Sequence, residues 1–146
     1  MRLLAVFLLA GAILAQAPST PAPSGEIPAV KAVGTMSEIM LEIIFPTSNE
    51  IFYVGREENK SLKDWEDLRQ NALTMAEAAN LLMADNRAKD KDQWMRDADL
   101  LRQVGIKAYK FAKDKNLEGL KGLNDDLYEA CQSCHVHYRP GYRRRL

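Results

Sequence analysis

The chain closes with CQSCHVHYRPGYRRRL, which holds both cysteines, Cys131 and Cys134, and both histidines, His135 and His137. On a helix, positions i, i+3 and i+4 share one face, so Cys131, Cys134 and His135 point the same way. Cys-x-x-Cys-His is the attachment pattern of haem c. In that chemistry the two thiols add to the two vinyl groups of the haem, and the histidine coordinates the iron. Tethering at two points fixes the orientation of a flat ring against the helix.

Two other chemistries use the same residue types. A redox-active Cys-x-x-Cys pair sits at a helix N-terminus, where the dipole lowers the thiol pKa. Here the pair falls late in a helix, where the dipole raises it. A structural zinc site needs four ligands in a tetrahedral array. Cys131, Cys134, His135 and His137 are four in number, but so short a stretch of one helix does not wrap an ion. His137 lies two residues past His135 and points about 200° away around the helix axis. It is expected at the surface or rim.

The elements that must position this motif read as helices. The first spans about Thr35 to Gly55, with Met36, Ile39, Met40, Ile43 and Ile44 at helical spacing. Pro46 is expected to kink it near Phe45 or split it in two. The second runs from Ser61 to about Ala84, opened by a Ser61/Asp64 capping box. The third spans about Lys91 to Lys113, with Asp90 or Asp92 as cap. The fourth runs from near Asn116 to near Arg139 and carries Leu120, Leu123, Leu127, Cys131, Cys134 and Tyr138 on its inward stripe. No segment shows a convincing period of two. The economical fold is all-α, an antiparallel four-helix bundle. Trp65 and Trp94 are core candidates, and either could border the haem.

The start of the chain has a different character. MRLLAVFLLAGAILAQA has one basic residue, then an apolar run from Leu3 to Ala15, then Ala15-Gln16-Ala17. This is the layout of a secretory signal peptide, and the run falls short of the roughly 20 residues a spanning helix needs. The expected organisation is a signal peptide over 1–17, a Pro-rich linker over 18–33 and the helical domain over 34–146. Export implies no stable membrane insertion once the signal is removed. The 20 basic and 20 acidic side chains balance, which gives no support to a nucleic-acid partner. Apolar residues at 47% suffice for one core.

With its motif near the C-terminus of four helices, the chain resembles the class II cytochromes c. These comprise cytochrome c-prime and its low-spin, methionine-ligated relatives. The ending CQSCHVHYRPGYRR matches the family's, where two residues, an aromatic and a basic residue follow the motif (Tyr138 and Arg139). IMLEIIFPTSNEIFYV is similar to the first helix of one bacterial branch, and the resemblance covers roughly Met36 to Arg145. It implies a bacterial periplasmic protein with one covalent haem c and its iron, and redox proteins as partners. It also implies either electron transfer without substrate turnover or, in the cytochrome c-prime manner, an open iron face that binds nitric oxide or other small gases. Homodimers occur in the family.

The sixth iron ligand is a separate question. Antiparallel first and fourth helices bring the motif beside the N-terminal part of the first, where Met36 and Met40 lie one turn apart. Met40 is deeper in the helix and better matches the resembled branch, so it is the expected ligand. Met36, Met83 and Met95 stay open, as does the reading of all four as core fillers. The basic tail of Arg139, Arg143, Arg144 and Arg145 suits haem propionates, an acidic partner, or simply solvent.

Overall fold

The structure, a computed structural model, describes residues 31–139 and 141, and all regular elements among them are helical. The expected signal peptide and most of the linker lie outside the described residues. Helix α1 covers 36–52 as α-helical Met36–Glu38, a π-helical segment Ile39–Ile44 and α-helical Phe45–Phe52. A short 3-10 turn follows at Val54–Arg56. Then come α2 (Leu62–Leu82), α3 (Gln93–Lys113), the short α4 (Leu117–Lys121) and α5 (Asn124–Tyr138). No helix among the described residues is long and apolar enough to cross a membrane.

Local chemistry sets most of these boundaries. Ser61 accepts from the Asp64 N–H (3.2 Å) while Asp64 accepts from the Ser61 N–H (2.7 Å), the reciprocal box read from the sequence. Thr35 and Glu38 form an equivalent box at the start of α1. Asp90 caps α3 by accepting from the Trp94 N–H (3.0 Å), whereas the Asp92 side chain caps nothing. At the other end of α3, Lys115 takes a left-handed conformation (φ 53°). The Lys115 N–H reaches the Ala112 carbonyl and the Asn116 N–H the Phe111 carbonyl. Together they form a Schellman motif with lysine where glycine is usual.

Two expectations need correction. Pro46 neither kinks α1 apart nor splits it. In a regular α-helix its ring would crowd the Glu42 carbonyl and its missing N–H would leave an acceptor bare. The chain instead widens into a π turn just upstream, where the Phe45 N–H bonds to the Met40 carbonyl five residues back. The Thr47 hydroxyl donates to the Ile43 carbonyl (2.7 Å). The fourth helix is not continuous either. It breaks between α4 and α5 at Gly122 and Leu123, close to two glycines that support a helix poorly.

The long helices pack on one another in series. α2 and α3 make the most extensive contact, α3 packs on α5, and α1 packs on α2. Small residues let α2 and α3 approach closely: a Cβ placed on Gly105 would come within 2.8 Å of the Ala76 Cα. Trp94 near the start of α3 donates from Nε1 to the Leu82 carbonyl at the end of α2 (2.7 Å), so these two helices run antiparallel. Asn124 at the start of α5 donates to the Phe52 carbonyl at the end of α1 (3.3 Å), and α1 and α5 are antiparallel too. Beyond that point α1 and α5 touch only sparsely.

Candidate functional site

Where the contact between α1 and α5 is sparse, a cavity of about 560 Å³ lies between them. That lies within the range of about 300 to 1,000 Å³ usual for a small-molecule or cofactor site. From α5 the lining includes Cys131, Cys134, His135 and Tyr138; from α1 it includes Met36 and Met40. Both cysteines are free thiols. The helical spacing of the motif thus brings its three chemical groups to one space, with two methionines across from them. Met83 and Met95 pack against the core but do not line the cavity. Trp94 borders it and Trp65 does not.

The walls are largely apolar. Leu41, Ile44, Phe45 and Phe52 contribute from α1, and Leu41 and Phe45 remain 63% exposed at the mouth. Two cations, Lys89 and Arg139, stand on the lining. Arg143, Arg144 and Arg145 lie outside the described residues. A cavity with apolar walls, paired thiols, an imidazole, thioethers and cations suits an amphipathic ring bearing a metal and carboxylates. The residues present fit haem.

Electrostatics separate the thiols from a redox pair. Burial pushes Cys131 up to about 11. Cys134 also rises to about 11, through burial first and then the negative charges of Asp97 and Cys131. Both are protonated at neutral pH, whereas disulfide chemistry needs the thiolate. Burial, then the Arg139 charge, holds His135 below the usual imidazole range. The neutral imidazole it favours is the form that ligates metal. Tyr138 packs edge-on against Trp94 (4.9 Å between ring centres) and donates its hydroxyl to Asp90. Burial and then that bond raise its phenol to about 12.

His137 turns away from the cavity, as its helical angle predicts. It is not solvated alone, however. Its Nδ1 donates to the Asp97 carboxylate on α3 (3.0 Å). Ser133 donates to the same carboxylate, and so does Gln93 (2.9 Å). Asp97 is 1% exposed. Burial works to raise its pKa, but the bonds from Ser133, His137 and Gln93 outweigh this and hold it below the usual carboxylate value. Sequence reading missed Asp97. The available signal was an acidic residue three places from Trp94, on the apolar stripe of its helix. With His137 engaged by Asp97, the four cysteines and histidines do not converge. Among the described residues no group of three or more His, Cys, Asp or Glu side chains is arranged to hold a bare metal ion.

No protein-family model, no curated protein and no solved structure matches this chain. The reading of the site therefore rests on the cavity and the groups that line it.

Proposed function

We propose that the chain is an exported, periplasmic monohaem c-type cytochrome that carries electrons, built as an antiparallel four-helix bundle. The observation that carries this reading is the convergence of Cys131, Cys134 and His135, with Met36 and Met40, on one cavity between α1 and α5. Haem supplies one-electron redox chemistry at its iron when bound. Cys131 and Cys134 would hold it through thioethers. His135 and Met40 would supply the two protein ligands to its iron. Met40 is favoured over Met36 because it lies inside the helix rather than in its first turn.

The remaining residues tune and shield the site. Lys89 and Arg139 are suited to pair with the haem carboxylates. The apolar side chains from α1 keep water off the metal and so contribute to its potential. Partially exposed Leu41 and Phe45 leave an apolar edge where a redox partner can approach. No residue of the cavity is assigned to substrate turnover.

The test is acidified organic solvent extraction of the purified exported protein, followed by its absorption spectrum. Thioether-linked haem stays with the chain, and His/Met ligation gives a low-spin spectrum. Haem that extracts cleanly, or none at all, would overturn the reading. A covalent but high-spin haem would replace electron transfer with gas binding at an open iron face.

A further inference from the structure

Asp97 does not line the cavity, yet it is a buried carboxylate shared between two helices. It sits in the second turn of α3, 1% exposed, and accepts three hydrogen bonds. Gln93 supplies one from its own helix (2.9 Å). The other two come from α5, from Ser133 and from His137 Nδ1 (3.0 Å). A carboxylate can only accept, so both groups must aim their hydrogens at it. Ser133 and His137 are one helical turn apart and bracket Cys134 and His135 in sequence. Tyr138 and Asn124 anchor the two ends of α5; two contacts a turn apart on one face set the rotation of the stretch between Ser133 and His137 more tightly than either alone. A buried carboxylate that lost these donors would bear a large desolvation cost, so the bonds hold firmly.

From this geometry we infer that Asp97 is a positioning residue: by gripping Ser133 and His137 it sets the rotation of α5 that turns Cys131, Cys134 and His135 into the cavity. The link to haem rests on the proposed function; the link to helix rotation does not.

The experiment labels the haem-free full chain with iodoacetamide and measures the separate rates at Cys131 and Cys134 by fragment-ion mass spectrometry. Rotation swings one thiol outward before the other. The double variant Ser133→Ala with His137→Ala, which removes both α5 contacts but keeps the Asp97 charge that raises the Cys134 thiol, should change the ratio of the two rates by about threefold or more, whereas general loosening raises both together. Leu68→Ala, a core truncation away from α5, is the control and should leave the ratio unchanged. Ser133→Ala alone carries the same test if the double variant does not accumulate; Asp97→Asn, which also removes a charge that raises Cys134, is kept for the haem arm. An unchanged ratio in the accumulating variant overturns the proposal. A parallel arm exports the same variants with haem supplied. Wild type should carry two thioethers and Asp97→Asn a fraction with only one. Wild type without covalent haem sinks the functional reading and leaves the labelling result to decide the role of Asp97.

Discussion

The two thiols offer the sharpest quantitative check, because burial sets their reactivity and the competing chemistries need opposite values. Cys131 and Cys134 rise from 9.0 to about 11. At pH 8 an ordinary thiol of pKa 9 is about one-tenth thiolate, and one of pKa 11 about one-thousandth. Only the thiolate attacks an alkylating agent, so labelling should run about 100-fold slower than for a free cysteine. The assay is alkylation of the full chain with free thiols, by a neutral reagent, from pH 7 to 11. The rate should climb about tenfold per pH unit without levelling before pH 10. The sign also fixes a stability effect. The folded-state pKa is raised, so the contribution is complete below pH 9 and is lost as pH rises towards 11. For the partly buried Cys131 that amounts to about 2 to 3 kcal/mol as an upper bound. Rapid labelling at pH 7, or a rate that levels below pH 9, would refute the burial argument and revive the thiol-redox chemistry.

Three further outcomes follow from particular residues. Replacing Met40 by Ala in the haem-loaded protein should turn the iron high-spin and let it bind carbon monoxide more readily, while Met36→Ala changes little; absorption spectra check both, and the reverse pattern would move the ligand to Met36. Gly105→Ala should destabilise by about 1 to 2 kcal/mol in denaturant unfolding, because a Cβ at 2.8 Å from the Ala76 backbone forces α2 and α3 apart and outweighs the better helix propensity. Lys115→Gly should stabilise by about 0.5 to 1 kcal/mol in the same assay, since glycine relieves the left-handed strain at φ 53° and keeps both Schellman bonds.

Interactions that span a turn or less were legible in the sequence. The Ser61/Asp64 box, the helix-capping Asp90 and the shared face of Cys131, Cys134 and His135 all depend on residues no more than four apart, and helical geometry alone relates them. The outward turn of His137 followed from the same rotation per residue. Long-range arrangement was not legible. The effect of Pro46 depended on how α1 could spread its hydrogen bonds, and the chain took a π turn where a kink was expected. The break between α4 and α5 arose at Gly122 and Leu123, inside an unbroken apolar stripe that reads as one helix. The cavity exists only because α1 and α5 pack sparsely after they meet at Phe52 and Asn124, a spacing no single helix encodes. The clearest case is Asp97. Its type and position on an apolar stripe are visible in the sequence, but two of its three partners lie 36 and 40 residues away on another helix. Residue spacing determines which groups share a face; only the packing of one helix on another determines what each face meets.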